Sequence, residues 1–113
     1  MNNREFGNKG EDLACEYLIK NGYEIIDRNK HFSKFCEIDI IAKIKNKYVF
    51  VEVKTRKSDA FGSPMEAITK TKYNNIKTGV LTYIEEYNIK NYQVDAIGIT
   101  LYPNLKIQHL KNI

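Results

Sequence analysis

Two strand-like runs, held two residues apart, constrain this chain more than any other feature. CEIDIIAKI spans residues 36–44 and KYVFVEVKTR spans 47–56. Both are rich in β-branched residues and alternate with period two, so they read as the arms of a hairpin. On the second run Val49, Val51 and Val53 share one face while Glu52 and Lys54 share the other. On the first, Ile38, Ile40 and Ala42 fall on one face, and Glu37, Asp39 and Ile41 on the opposite one. Burying the two apolar sets on one side fixes the parity of the register. A turn at Lys45-Asn46 makes Asp39 face Glu52, and a turn at Asn46-Lys47 makes it face Lys54. Either register gathers Asp39, Glu52 and Lys54 in one patch.

The segments around this hairpin follow helical and strand periods in turn. Residues 3–21 read as a helix whose stripe is Gly7, Gly10, Glu11, Ala14, Tyr17 and Leu18. The two glycines and the alanine predict that this stripe approaches a sheet closely, and Asn21-Gly22 stops the helix. Residues 23–29 read as a short strand, 30–35 as a polar loop and 57–63 as another loop. Ser63, Pro64 and Glu66 make a capping box. It opens a helix whose apolar stripe, Ile68, Ile76, Val80, Ile84 and Tyr87, runs to about residue 87. Residues 91–101 and 105–110 read as two last strands turning at Pro103-Asn104. A crossover helix after an antiparallel hairpin leads to a parallel neighbour, so the chain is an α/β protein with helices on a mixed sheet. With no internal repeat and no linker, 1–113 is expected to be one domain.

The patch has the makings of a metal site. Two facing carboxylates repel, and a divalent cation reverses that cost. Mg²⁺ favours one or two carboxylates together with water and phosphate oxygens. Asp39 and Glu52 would be the ligands, with the Val53 carbonyl as a further oxygen. Lys54 would stand beside the ion, stabilising charge on a reacting phosphate or positioning the attacking water. An E-x-K triplet alone is common, and its plain alternative is a cross-strand ion pair on a solvated face. Acids are disfavoured within strands, which makes Asp39 at matching spacing more telling. Glu11 lies about 60° from Ala14 and 20° from Leu18 around its helix, so it edges the buried stripe as a third acid. Lys72 lies four residues from both Ile68 and Ile76, in line with their stripe, where a snorkelling lysine is the plain alternative.

Charge and the remaining residues narrow the chemistry. The net charge is 18 − 14 = +4, a mild attraction for a polyanion. Only Arg4, Arg28 and Arg56 are arginines, so most of the charge is lysine, which attracts phosphate without reading bases. Arg28, Arg56, Lys57, Lys70 and Lys72 are the expected nucleic-acid contacts. Cys15 and Cys36 match no zinc spacing and read as small buried hydrophobes. His31 and His109 lack ligand spacing, and neither is placed to activate Ser63. No phosphate-cradling Gly-rich loop is present. The first ten residues have no apolar run, and none elsewhere approaches the ~20 residues that span a bilayer. A cytoplasmic protein with reduced thiols and no membrane partner is therefore expected.

These residues resemble the YraN-type family of small uncharacterised bacterial proteins. That family is similar to the PD-(D/E)xK nuclease superfamily and to archaeal Holliday-junction resolvases. The matching stretches are GNKGEDLA (7–14), YLIKNGYEIIDRN (17–29), EIDIIA (37–42), YVFVEVKTR (48–56), FGSPMEAIT (61–69), VDAIGI (94–99) and IQHLKN (107–112). They cover nearly the whole chain. The resemblance implies a restriction-endonuclease-like αβββαβ core, Asp39 and Glu52 as metal ligands, Lys54 as the catalytic lysine and Glu11 as an auxiliary acid. It marks Arg28 and Lys72 as basic positions and Asp95 as an acid without an assigned role. One departure is Cys36, where the family carries Gly, which narrows backbone freedom beside the site. The expected function is Mg²⁺- or Mn²⁺-dependent hydrolysis of DNA phosphodiester bonds; branched or damaged DNA is one candidate substrate, with flap, nicked and single-stranded DNA and RNA left open. A homodimer is compatible with it, since nucleases that cut both strands of a junction tend to be two-fold symmetric. The alternatives are a non-catalytic nucleic-acid-binding module that retains the fold, and an interaction protein whose acids and Lys54 form a buried ion-pair cluster.

Overall fold

A computed structural model describes residues 3–34, 36–58 and 69–113. The elements are α1 (Asn3–Lys20), β1 (Glu24–Ser33), β2 (Cys36–Ile44), β3 (Lys47–Ser58), α2 (Lys70–Glu86), β4 (Tyr92–Tyr102) and β5 (Lys106–Leu110). The five strands form one sheet in sequence order. β3 and β4 are parallel, joined through α2, and the other neighbours are antiparallel. This is the mixed α/β sheet read from the sequence.

Local chemistry explains most boundaries. Gly22, at φ +90°, ends α1. The Tyr23 amide donates to the Leu18 carbonyl and the Gly22 amide to that of Ile19, a Schellman close. Lys45, at φ 53°, carries the two-residue turn, and Ile44 faces Lys47 across it. The expected opening of the second helix at Ser63 lies outside the described residues. α2 is capped by Thr69, whose hydroxyl accepts the Lys72 amide.

The sheet separates two cores. Ala14, Leu18, Ile40, Ala42, Val49, Val51, Val53, Ile97 and Ile99 pack under α1. Ile38, Ile41, Phe50, Ile76, Val80, Tyr83 and Val94 pack under α2. Gly10 marks the closest approach of α1 to β3, for a Cβ there would lie 2.8 Å from the Cβ of Thr55.

Several expectations need correction. The polar stretch 30–33 is strand, not loop, because β1 pairs with β2 to the end of their hairpin (Lys30 with Ile38, His31 with Glu37, Ser33 with Cys36). An edge strand open to water tolerates those polar residues. Lys57 and Ser58 continue β3 instead of leaving it. Ile38 does not share a core with Ile40 and Ala42, since β2 parts from β3 beyond Ile40 and its faces no longer sort by simple alternation. Gly7 has nothing within 4 Å of its missing Cβ, so only one of the two stripe glycines is demanded by packing. Tyr87, past the end of α2, is 53% exposed, and Tyr83 takes the core position.

Candidate active site

The site lies where β2 and β3 come apart. Their ladder runs from the Ile44–Lys47 pair to the Ile40–Val51 pair and stops there. One step further, the same register sets Asp39 opposite Glu52, the arrangement given by a Lys45-Asn46 turn. The next rung is not a backbone bond. The Val53 amide donates instead to Asp39 Oδ2 at 2.8 Å. In a strand the N–H and C=O of one residue point to the same edge, so the Val53 carbonyl also points toward the parting.

Glu52 stands on the α2 side of β3 and is 2% exposed. Lys72, in the first turn of α2, reaches it with its ammonium 2.6 Å from Oε1. A 240 Å³ cavity opens beside Asp39, Glu52 and Lys72, walled by Glu37, Cys36 and Asn75. The Cys36 thiol donates to the Asn75 carbonyl at 2.7 Å, which ties β2 to α2 at the cavity wall.

The electrostatics of this cleft are dominated by burial. Burial and the neighbouring Glu52 carboxyl push Asp39 up to about 8, so at neutral pH its proton is retained and the two carboxyls hydrogen-bond. The Lys72 ammonium, with partial burial, holds Lys54 below its ordinary value. Burial acts against charge on Lys72 itself, but contact with Glu52 outweighs it and keeps that ammonium above the usual range. Burial likewise raises Glu11, against the opposing pull of Asn29 and Arg28, and Glu37 and Glu52 add to the rise. Glu11 therefore lies within electrostatic reach of the cleft from the α1 side. Its Oε1 is buried without a hydrogen bond.

The structure thus brings together Asp39, Glu52, Lys54 and Lys72, with Glu11 at the margin. Of the expected nucleic-acid contacts, Arg28 is committed to acids, 2.8 Å from Asp12 and 3.7 Å from Glu11. Lys72 is likewise engaged inside the site. Arg56 is half-buried on β3, while Lys57 and Lys70 are exposed. Sequence reasoning did not foresee that Lys72 meets Glu52 or that Asn75 walls the cavity. The signal was present in the helical spacing of Lys72, Asn75 and Ile76, but nothing local says which strand residue that face meets. Asp95 lies outside the cleft, fully buried on β4. It contacts His109 Nε2 at 2.7 Å and accepts from Gln93 Nε2 at 2.8 Å and from the Asn112 amide at 2.9 Å. Nδ1 of His109 lies 2.9 Å from the Tyr17 hydroxyl, so the network joins β4, β5, the C-terminal residues and α1.

The donor set fits a hard divalent cation. Among the described residues no three His, Cys, Asp or Glu side chains form a closed cage, but two carboxylates with room for water are what Mg²⁺ favours. The raised Asp39 carboxyl beside Glu52 marks a place where an added cation would be stabilised, whereas Glu11 Oε1, though without a hydrogen bond, already faces Arg28 Nη2 at 3.7 Å. None of the described helices is long and apolar enough to cross a membrane.

Comparison with known proteins places the chain among relatives of similar length. The model of an uncharacterised protein family, UPF0102, matches residues 10–99. A UPF0102 protein of Caldicellulosiruptor saccharolyticus is 48% identical over 108 residues, covering 94% of this chain and 89% of that protein. Another from Caldanaerobacter subterraneus is 42% identical over 118 residues, covering 99% and 96%. Among solved structures, Archaeoglobus fulgidus Hjc, a Holliday junction resolvase, superposes with a TM-score of 0.51. It is 20% identical and the match covers 89% of this chain and 72% of that one, a likeness of fold.

Proposed function

This chain belongs to the uncharacterised protein family UPF0102, and we propose that its cleft is the active site of a metal-dependent endonuclease acting on DNA phosphodiester bonds. The observation that carries the reading is the pair of facing carboxyls, half-buried Asp39 and buried Glu52, at the point where the β2–β3 ladder opens. A fold shared with a Holliday junction resolvase supports it.

Asp39 and Glu52 would hold Mg²⁺ or Mn²⁺, with the Val53 carbonyl on the same edge. When bound, the ion supplies Lewis acidity toward a phosphate oxygen and a more acidic water. The residues do the rest. To hold the ion, Asp39 would be ionised, its proton lost to solvent, and Glu52 would turn to the ion from its contact with the Lys72 ammonium. Lys54, held below its ordinary basicity by Lys72 and by partial burial, is suited to orient a water and gives up a proton more readily than a free lysine. Lys72, released from Glu52, faces the incoming phosphate. Glu11 closes the α1 side. Lys57 and Lys70, both exposed, with Arg56, contact the backbone of the DNA. A branched substrate cut on two strands calls for two such clefts, and a homodimer would supply them.

One observation favours a second reading. The Glu52–Lys72 pair and the protonated Asp39 already neutralise the cleft, as a non-catalytic nucleic-acid-binding module would require. The two readings separate in one experiment. Labelled four-way junction, linear duplex and single-stranded DNA are incubated with the protein in Mg²⁺, Mn²⁺ or chelator. Metal-dependent cleavage of at least one substrate is expected, reduced at least 100-fold by Glu52→Gln. Absence of metal-dependent cleavage on all three overturns the nuclease reading.

A further inference from the structure

We propose that the hairpin end of the sheet, away from the cleft, is a track for an unpaired nucleic-acid strand. This rests on the nucleic-acid reading above but uses none of the same residues. Two cavities open at that end, one on each side of the sheet. The first, of 450 Å³, lies on the α1 side and is lined by Lys45, Lys47, Lys111, Tyr23 and Gln93. The second, of 280 Å³, lies on the α2 side and is lined by Lys43, Lys90, Tyr48 and Tyr87. They meet at Asn46 and Asn91, which line both and are joined by a hydrogen bond from Asn91 Nδ2 to the Asn46 carbonyl at 3.2 Å. Among the described residues, five lysines and no acid line the pair of cavities. The nearest competing acid named by the strand register is Glu24, across from Lys43.

Charge alone fits any polyanion, and the aromatic residues narrow it. Tyr87 is 53% exposed, yet its ring rests on the buried Tyr83 with centroids 4.6 Å apart. An exposed ring braced from below is a stacking platform that needs little ordering when a base arrives. Lys43 lies 5.2 Å from the Tyr48 ring centre, so cation and aromatic face already share one wall. Lysines along a groove with aromatic faces between them are the chemistry of single-stranded binding, where phosphates meet ammonium groups and bases stack without regard to sequence. A duplex hides its base faces and gains only the charge term. The track lies about five strand residues from Glu52, roughly 15–20 Å at strand rise. A strand threaded across the hairpin end would therefore approach the cleft as the unpaired arm of a larger substrate.

The test uses the full chain and a fluorescein-labelled dT15 in chelator, read by anisotropy across a salt series. Five lysine contacts predict a log–log salt slope of about −3.5 for the wild type. The triple variant Lys45→Glu/Lys90→Glu/Lys111→Glu, at three exposed positions, should bind at least tenfold more weakly, with a slope shallower by about 2. Tyr87→Leu should lose roughly fivefold or more and Tyr87→Phe should not, because stacking needs the ring and not the hydroxyl. Unchanged thermal melting of each variant confirms that folding is intact. If the triple variant and Tyr87→Leu both bind dT15 within twofold of wild type, or if the wild type does not bind it, the track is refuted. Failure of the nuclease reading looks different: Glu52→Gln and wild type would share the absence of cleavage while dT15 binding stayed as predicted here.

Discussion

The same substitution at two positions of one helix should change stability in opposite directions. Gly7 and Gly10 both lie on α1. Replacing a helical glycine by alanine gains about 0.5–1 kcal/mol, from helix propensity and a less disordered unfolded chain. At Gly7 nothing lies within 4 Å of the new methyl, so this gain should appear in full. At Gly10 the new carbon would overlap Thr55 Oγ1 and lie 3.0 Å from its Cγ2 and 2.8 Å from its Cβ. Rotating Thr55 moves the hydroxyl and methyl away, but its Cβ is fixed to the β3 backbone. Carbon atoms pack at about 3.5–4.0 Å, so α1 and β3 must part by roughly 0.7 Å or more. Overpacking of this kind costs about 1–3 kcal/mol, and the upper end applies where both atoms are anchored to backbone. The net loss for Gly10→Ala should be about 2 kcal/mol after the helix gain is subtracted. Thermal unfolding by circular dichroism should place Gly7→Ala about 3 °C above wild type and Gly10→Ala about 8 °C below it, at roughly 4 °C per kcal/mol for this chain length. Thr55→Ala should rescue Gly10→Ala only in part, since the 2.8 Å contact survives it. Gly10→Ala melting at or above the temperature of Gly7→Ala would refute the packing argument.

Other outcomes follow from the site and the buried network. Asp39 titrates near 8 in the folded chain and near 3.8 when unfolded. The folded state thus binds the extra proton, and metal-free stability should fall as pH rises from about 4 to 8. Through the same linkage, Mn²⁺ affinity should rise about tenfold per pH unit below 8, with one proton released on binding, measured by calorimetry in two buffers. Independence of affinity from pH between 6 and 7.5 would exclude this. Lys72→Met removes the cation that competes for Glu52, so it should tighten Mn²⁺ binding several-fold while lowering metal-free stability. Looser binding in Lys72→Met would mean that the lysine helps to hold the site. Asp95→Ala removes a fully buried acceptor shared by three part-buried donors and should cost about 3 kcal/mol in urea unfolding at pH 7. Burial opposes ionisation of Asp95, but His109, the Asn112 amide and Gln93 outweigh it and depress its pKa. Its stabilisation is therefore present above the unfolded value near 3.8 and is lost as pH falls below that. Asp95→Asn should flatten the stability profile in that acid range, and an unchanged acid slope would count against an ionised Asp95.

How much of this was legible in the sequence depended on how local the signal was. The β2–β3 hairpin could be read with its register because period-two alternation and a two-residue turn are contained in twenty-one consecutive positions. The Asp39–Glu52 juxtaposition follows from that register by counting. Parity failed at Ile38, where β2 leaves its partner, since alternation predicts faces only while a strand stays in its ladder. Residues 30–33 misled because their polarity suits both a loop and an edge strand, and only pairing decides between them. Lys72 and Glu52 meet across a helix–sheet contact, which periodicity on either element cannot reveal. The Asp95 network draws on residues from 17 to 112, and no spacing rule joins positions so far apart.

The bond from the Val53 amide to Asp39 Oδ2 has a consequence for shape. A carboxylate stands there in place of a strand, so the mouth of the cleft is gauged by the length of one aspartate. Asp39→Glu keeps the carboxyl and the acceptor but lengthens the gauge by one methylene, about 1 Å or a little more. Displacement of that order can cost about 100-fold in a reaction that depends on placement. Asp39→Asn keeps the gauge and the acceptor and removes the ability to ionise. Width and charge at this mouth are thus separable, although both belong to one side chain.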